Sequence, residues 1–275
     1  MAENPQTDIL LAARFSLRYG EKSAVLREVE LQVRRGEVLG LVGQSGSGKS
    51  TLAMAILGLL DGKKARAEGS IEFEGRDLLK MPEREMRSLR GRKLALVLQS
   101  PLSSLNPALR IRTQLKEAWR AHAAETGAAD CDQAIRAALE SVSLPSSDEF
   151  LRKYPSQMSV GQAQRVLIAM AVMHRPALLI ADEATSALDV ITQSEILALF
   201  RQLNRSTGMA ILYISHDLGS VAGICQRIAI LHEGRIVECG TTEQVLTAPR
   251  HEYTQRLMAA IPEMPRKPAG KAAGA

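Results

Sequence analysis

The chain has 275 residues, of which 45% are hydrophobic and 24% charged, and these proportions are ordinary for a soluble globular protein of one large domain or two modest ones. Its 35 basic residues face 30 acidic ones, so the net charge of +5 does not demand a nucleic-acid partner. No segment holds the ~18 consecutive apolar residues of a membrane span, and the N-terminus lacks the pattern of a signal peptide. The composition argues against an integral membrane protein, and any action at a membrane would require a partner.

The cysteines are few and widely spaced. Cys131, Cys225 and Cys239 form no CxxC pair. This pattern predicts free thiols in a reducing compartment rather than a disulfide framework or a zinc site.

The first hundred residues are predicted to be rich in strands. Apolar and polar residues alternate on both sides of a turn at Gly20, which indicates a pair of strands. The run VLGLV predicts a buried strand that leads into a glycine-rich segment and an apolar helix, TLAMAILGLL. The segment GSIEFEGRDLL predicts a further strand pair, and KLALVLQ, over 93–99, predicts another buried strand.

The sequence pattern changes between about 100 and 155. Two amphipathic helices are predicted there, over 113–125 and 132–144, with no strand between them. Beyond this region, the chain returns to alternating elements. ALLIADE and AILYISHD predict buried strands, a helix between them ends at Gly208, and a hairpin turns at Glu233 and Gly234. Strands that alternate with helices predict a mostly parallel sheet covered on both faces, with a helical insertion.

A phosphate-binding loop is predicted where GQSGSGKS fits the pattern G-x-x-x-x-G-K-[ST] between a buried strand and a helix. Glycines let successive N–H groups point at phosphate oxygens, and the helix start adds positive potential. Lys49 would reach the β- and γ-phosphates, and the Ser50 hydroxyl would bind Mg²⁺. The predicted nucleotide-binding residues are Gly43, Gln44, Ser45, Gly46, Ser47, Gly48, Lys49, Ser50 and Thr51.

Two adjacent carboxylates, Asp182 and Glu183, end the buried strand ALLIADE. Ligands bind at the carboxyl ends of strands in α/β sheets. Asp182 is predicted to hold Mg²⁺, and Glu183 to orient or polarise an attacking water.

The order of these motifs resembles that of the ATP-binding subunits of ABC transporters, from roughly Ile9 to Ile261. The resemblance implies that Tyr19 stacks on adenine, and that Gln99 senses Mg²⁺ and water while linking to the helical insertion. It further implies that Glu183 is the catalytic glutamate and that His216 contacts the γ-phosphate. The segment SALD, from Ser186 to Asp189, matches the D-loop.

The same resemblance implies a signature segment that opens a helix and covers the ATP bound to a second subunit. In this chain, the expected L-S-G-G-Q is M-S-V-G-Q, so the residues are Ser159, Val160, Gly161 and Gln162. Val160 is bulkier than glycine and disfavours positive φ. We therefore expect a signature that still binds, with weakened closure, in a chain that works in an asymmetric pair.

Three segments, QSPLSSLNP, YPSQMSVGQ and HEYTQRLMAAIP, look most like the dipeptide, oligopeptide and nickel importer group. Some members of that group hold an iron–sulfur cluster on a cysteine-rich extension. Because no cysteine follows Cys239, we predict no cluster. Ala184 stands where the family usually has proline, which is expected to alter loop stiffness more than chemistry.

The predicted fold is α/β: a P-loop NTPase core of the RecA type with a mostly parallel sheet, an N-terminal antiparallel β-subdomain and an inserted α-helical subdomain. One ATPase domain is expected over 1–262. The core and the β-subdomain are expected over about 8–98 and 166–240, and the helical insertion over about 100–165. A C-terminal segment is expected over 241–262, and a disordered tail follows the domain over 263–275.

The predicted function is ATP hydrolysis that energises a multi-subunit importer of peptides, nickel or related small solutes. ATP and Mg²⁺ are the expected ligands, with Ser50, Gln99 and Asp182 around the metal. The expected partners are a second ABC ATPase, permeases docked on the helical insertion at the cytoplasmic face of the membrane, and, indirectly, a solute-binding protein. Two alternatives are a soluble ABC ATPase of nucleic-acid repair or translation and a non-hydrolysing regulator. Soluble ABC ATPases of repair or translation usually carry long coiled coils or tandem ATPase units, and the sequence shows neither. The retained Glu183 and His216 argue against a non-hydrolysing regulator.

Overall fold

The computed structural model describes residues 8–20, 24–61, 64–122 and 128–259 of the chain. The strands in these ranges are β1 (Ile9–Tyr19), β2 (Ala24–Arg34), β3 (Val38–Val42), β4 (Ala65–Phe73), β5 (Arg76–Asp77), β6 (Leu94–Val97), β7 (Leu178–Asp182), β8 (Ala210–Ser215), β9 (Arg227–His232) and β10 (Arg235–Thr241). The α-helices are α1 (Lys49–Ile56), α2 (Glu83–Leu89), α3 (Pro101–Ser104), α4 (Ile111–Arg120), α5 (Ala128–Ser141), α6 (Asp148–Leu151), α7 (Val160–Val172), α8 (Val190–Thr207), α9 (Leu218–Ile224), α10 (Thr242–Thr247) and α11 (Glu252–Ala259).

The larger sheet has six strands in the order β10-β9-β3-β8-β7-β6. The five strands from β9 to β6 pair in parallel, and β10 joins the edge as the second strand of an antiparallel hairpin. Every residue of β3, β7 and β8 is buried, as expected for strands covered on both faces. The predicted parallel sheet is confirmed.

The large sheet separates two hydrophobic cores. Val38 and Val42 of β3 belong to the core shared with the helices α4 to α8, whereas Leu39 and Leu41 face the core shared with α1 and the smaller sheet. This division follows from the alternation of side chains along a strand. The smaller sheet is antiparallel, with four strands in the order β2-β1-β4-β5, as the sequence predicts.

Helices are the only regular elements in the described residues between β6 and β7, in agreement with the predicted helical insertion. Their apolar faces meet over side chains such as Ile111, Leu115, Ile135 and Leu139, each at most 1% exposed. The C-terminal segment contributes α10 and α11. The predicted tail over 263–275 lies outside the described residues.

None of the helices in the described part of the chain is long and apolar enough to cross a bilayer.

Some strand ends differ from the prediction. The strand predicted over 93–99 ends at Val97, because Val97 is the last residue that pairs with β7. Leu98 extended the apolar run in the sequence but is 39% exposed. Gln99 therefore follows the strand rather than ending it, and His216 likewise lies one residue beyond β8.

Candidate active site

Four neighbouring parallel strands bring the predicted site residues to one edge of the large sheet. β3 leads into the phosphate loop, β8 into His216, β7 into Glu183 and β6 into Gln99. Because the carboxyl ends of parallel strands meet at the same edge, residues distant in sequence share this region.

The phosphate loop has the backbone that its glycines permit. Gly46 and Gly48 adopt φ values of +80° and +107°, a region that side chains with a Cβ rarely enter. A Cβ at Gly43 would lie 2.2 Å from the Leu231 carbonyl oxygen. The Ser47 hydroxyl is buried without a protein partner inside the loop.

The Lys49 side chain is held by hydrogen bonds to backbone carbonyls of the phosphate loop. Its Nζ donates to the carbonyl oxygens of Gly43, at 2.8 Å, and Gln44, at 3.0 Å. The side chain is only 5% exposed and lies 3.9 Å from a Glu183 carboxylate oxygen. Burial lowers the pKa of Lys49, while the carboxylates of Glu183 and Asp182 oppose that shift. An ammonium group so poorly hydrated is suited to exchange its partners for phosphate oxygens.

Asp182 has the properties of a ligand for a hard cation. Burial raises the pKa of this carboxyl, and a hydrogen bond with Ser50 partly offsets the rise. Its Oδ1 is buried and has no hydrogen-bond partner in the protein. A buried carboxylate oxygen beside a serine hydroxyl is the oxygen donor set that Mg²⁺ prefers. These residues therefore fit the ion that the family implies.

Glu183 lies in the first turn after β7 with a left-handed backbone, φ +49°. Such a conformation costs a non-glycine residue about 1–3 kcal/mol. Its N–H donates to the Ile214 carbonyl at 3.0 Å, and its Oε1 lies 3.4 Å from Nδ1 of His216. The carboxylate therefore faces both His216 and Lys49, at the edge where the phosphate loop begins.

Tyr19 and Gln99 lie at the margins of this region. Tyr19 ends β1 and is partly buried against the core beneath the smaller sheet. The adjoining strand β2 reaches the loop, since a Cβ at Gly48 would lie 2.7 Å from Leu26 Cδ2. Gln99 is exposed after β6. The roles predicted for both residues stay predictions.

The signature segment forms a complete helix start. Ser159 is the N-cap of α7, and its Oγ accepts from Gln162 N at 3.2 Å while Gln162 Oε1 accepts from Ser159 N at 3.2 Å. This capping box satisfies two N–H groups. Val160 is the first helical residue, with φ outside the left-handed region and a side chain that is 40% exposed. The backbone therefore suits valine, and of the two expected effects of this residue only its bulk remains.

Gly161 packs closely against another helix of this chain. A Cβ there would lie 2.7 Å from Thr192 Cγ2, at the start of α8. The predicted D-loop residue Asp189 caps α8 by accepting from the N–H groups of Ile191 and Thr192 and from the Thr192 hydroxyl. The signature helix and the D-loop thus meet at Thr192. Ser186 lies between them and Glu183, and both its N–H and its hydroxyl donate to the Glu183 carbonyl.

The sequence analysis missed Tyr253 of α11, whose hydroxyl accepts from Gln44 N at 3.3 Å. A tyrosine so far along the chain from the loop carries no spacing signal that ties it to the site.

A P-loop ATPase is the class of protein that this fold and these residues define. The family model described as ABC transporter matches residues 26–186, and the model of the oligopeptide/dipeptide transporter C-terminal region matches residues 237–274. The chain belongs to the ABC transporter family, and the predictions of its family and of its ATPase activity are confirmed.

Curated relatives and solved structures agree with this membership. The oligopeptide transport ATP-binding protein OppD of Salmonella typhimurium is 41% identical, over 92% of this chain and 75% of that protein. The dipeptide transport ATP-binding protein DppD of Escherichia coli is also 41% identical, over 93% of this chain and 79% of that protein. A dimeric structure of the ATP-binding cassette MJ0796, in a post-hydrolysis state with ADP and phosphate, superposes with a TM-score of 0.72 at 26% identity, covering 84% of this chain and 98% of that one.

Proposed function

We propose that this chain is the ATP-hydrolysing subunit of a multi-subunit importer for oligopeptides, dipeptides or related small solutes, nickel included. The observation that carries the proposal is the meeting of Lys49, Asp182 and Glu183 at one sheet edge. The match of residues 237–274 to the C-terminal region of oligopeptide/dipeptide transporters supports the solute class.

In the proposed mechanism, the loop N–H groups and Lys49 bind the phosphates of ATP. Ser50, Asp182 and Gln99 would hold Mg²⁺, which would neutralise charge on the phosphate oxygens. Thr51 follows Ser50 in the first turn of α1 and belongs to the same nucleotide contact. Tyr19 stacks on the adenine from the smaller sheet.

Glu183 accepts a hydrogen bond from the attacking water, and His216 contacts the γ-phosphate. The water oxygen forms a bond to the γ-phosphorus as the bond to the β–γ bridging oxygen breaks, which yields ADP and phosphate. The distance of 3.4 Å between Glu183 Oε1 and His216 Nδ1 supports the action of both side chains on one phosphoryl group.

The second half of each site is proposed to come from a second ABC ATPase, identical or not. Ser159, Val160, Gly161 and Gln162 would cover the ATP of that subunit with the N-terminal end of α7, where the helix dipole favours phosphate. The D-loop residues Ser186 and Asp189 adjoin this surface. Clamp closure on ATP and opening after hydrolysis would drive the attached membrane subunits.

We further propose that the single ATPase domain binds permease subunits through its helical insertion, over about 100–165, near Gln99. An apolar groove adjoins this region at Ser104, and its lining includes Leu59, Leu98, Leu167 and Met170. The chain would then sit at the cytoplasmic face of the membrane, held by the permeases, with a solute-binding protein acting indirectly.

Reconstitution tests the proposal. The chain is co-expressed with candidate permease subunits and placed in vesicles with a candidate solute-binding protein. Mg²⁺-dependent ATPase activity is measured with dipeptides, oligopeptides and Ni²⁺. We expect stimulation by one solute class and its disappearance with Glu183→Gln. Activity that needs no membrane subunit and responds instead to nucleic acid would favour the repair or translation alternative.

A further inference from the structure

The C-terminal third of the chain meets the base of the phosphate loop. β9 pairs in parallel with β3, with Ile230 opposite Val42. The next residue, Leu231, presents its carbonyl so close to Gly43 that a Cβ there would lie 2.2 Å from it. The first loop residue is therefore packed against the end of β9.

The residue after Leu231 extends this contact to α11. The rings of His232 and Tyr253 stack with centroids 3.7 Å apart and planes inclined by 14°. Tyr253 is only 4% exposed. The tyrosine ring is thus fixed between β9 and the body of the protein, where its hydroxyl has little freedom to move.

The Tyr253 hydroxyl accepts a hydrogen bond from Gln44 N at 3.3 Å. Gln44 is the second residue of the loop, and its carbonyl accepts from Lys49 Nζ at 3.0 Å. One residue of the loop therefore connects the C-terminal helix to the phosphate-binding lysine. Gln44 is itself exposed, and its carbonyl also accepts from Ser47 N at 3.2 Å within the loop.

The start of α11 is anchored independently of the loop. The Glu238 carboxylate, on β10, accepts from the N–H groups of Arg250, at 2.9 Å, and His251, at 3.1 Å. His251 Nδ1 then accepts from Tyr253 N at 3.1 Å. These bonds set the position of Tyr253 from the hairpin, and the phosphate loop takes no part in them.

We propose that Tyr253 is a positioning residue of the nucleotide site: its hydroxyl holds the Gln44 peptide and so sets the loop and the carbonyls that orient Lys49. The inference rests on the proposed nucleotide-binding role of residues 43–51. Loop contacts to phosphate are shared by substrate, transition state and product. Loss of the hydroxyl should therefore weaken binding of ATP and ADP alike and leave turnover at saturation nearly unchanged.

The test is Tyr253→Phe, which removes the hydroxyl and keeps the stacked ring. ADP binding to the purified full-length chain is measured by titration calorimetry. We expect the Kd for ADP to rise about three- to tenfold, as for the loss of one hydrogen bond. In the assembled transporter, KM for ATP should rise by the same factor, with kcat within twofold of the unsubstituted protein.

Tyr154→Phe is the matched control. The Tyr154 hydroxyl accepts from Arg110 Nε at 3.4 Å in the helical region, so its loss should leave the Kd for ADP unchanged. If Tyr253→Phe binds ADP as tightly as the unsubstituted chain, or if both variants weaken binding equally, Tyr253 does not position the loop. If the unsubstituted chain binds no ADP, the nucleotide site itself is refuted, a result distinct from failure of Tyr253 alone.

Discussion

The phosphate site and the signature helix start contain similar small polar residues, but the hydrogen-bonding partners of these residues differ. At the phosphate site, Ser47 Oγ and Asp182 Oδ1 are buried without protein partners, and Glu183 has a left-handed backbone. At the signature, Ser159 and Gln162 hydrogen-bond to each other, and the first two residues, Ser159 and Val160, are exposed. At the phosphate site such polar atoms are free to bind a ligand, whereas the closed capping box of the signature is a preformed helix start.

This difference separates the effects of substitutions. Changes at the phosphate site should alter chemistry and ligand binding within one chain. Changes at the signature should alter the packing of α7, and they should affect catalysis only when a second subunit is present.

The largest expected effect is that of Glu183→Gln on ATP hydrolysis. The amide is a far poorer hydrogen-bond acceptor for the attacking water than the carboxylate, and removal of such a group costs about 10²-fold or more in rate. ATP binding should persist, because Lys49 and the loop are unchanged. Phosphate release from the assembled transporter gives the rate.

Glu195→Gln is the control for Glu183→Gln. It makes the same change on α8, where the carboxylate pairs with Arg165 at the surface, and it should leave the rate near that of the unsubstituted protein. A Glu183→Gln rate above one tenth of normal would exclude Glu183 as the residue that orients water.

The second effect concerns the packing at Gly161. Gly161→Ala places a methyl group 2.7 Å from Thr192 Cγ2, and such overpacking costs about 1–3 kcal/mol. Thr192→Ser removes the opposing methyl while keeping the hydroxyl that donates to Asp189. We expect the double variant to recover most of the lost free energy of unfolding, measured by urea denaturation. Equal losses in the single and double variants would contradict this contact.

The third effect is stabilisation by Asp182→Asn in the absence of Mg²⁺. Burial raises the pKa of Asp182 above its ordinary 3.8, so the folded state binds this proton more tightly than the unfolded state. The carboxyl therefore contributes most stability below the unfolded pKa and loses it as pH rises through the folded pKa. The asparagine variant should melt a few degrees higher at pH 7 in EDTA, with a smaller difference near pH 4.

The Asp182→Asn variant should also lose the rise in melting temperature that Mg²⁺ and ATP give to the unsubstituted chain. Calorimetric scans with and without Mg²⁺ measure both effects. A variant that melts lower in EDTA at pH 7 would show that the buried carboxylate stabilises the fold.

The smallest effect is that of Val160→Gly. Its side chain is 40% exposed, so the cost is mainly that of glycine in a helix, below about 1 kcal/mol. ADP affinity of the single chain should not change, whereas turnover of the assembled transporter should rise if valine hinders closure. Val160→Ala is the control for bulk without added backbone freedom. If ATP affinity and turnover in the assembled transporter are unchanged, Val160 does not affect clamp closure.

The sequence predicts the parts of the fold and site that rest on local patterns. The loop from Gly43, the strand before Asp182 and the helix that ends at Gly208 all follow from residue spacing and apolar runs. The end of β6 does not, because Leu98 continues the apolar run but leaves the ladder with β7 and is 39% exposed. The contacts of Tyr253 with Gln44 and of Gly161 with Thr192 depend on tertiary packing, which no local pattern encodes.

The connection from Glu183 to Asp189 has a consequence for how this protein can change in evolution. Glu183 is tied to β8, Ser186 to Glu183, and Asp189 to the first turn of α8, whose Thr192 touches Gly161. An inserted or deleted residue in 184–188 would shift either the catalytic carboxylate or the signature helix. Homologous sequences should therefore conserve the length of this loop.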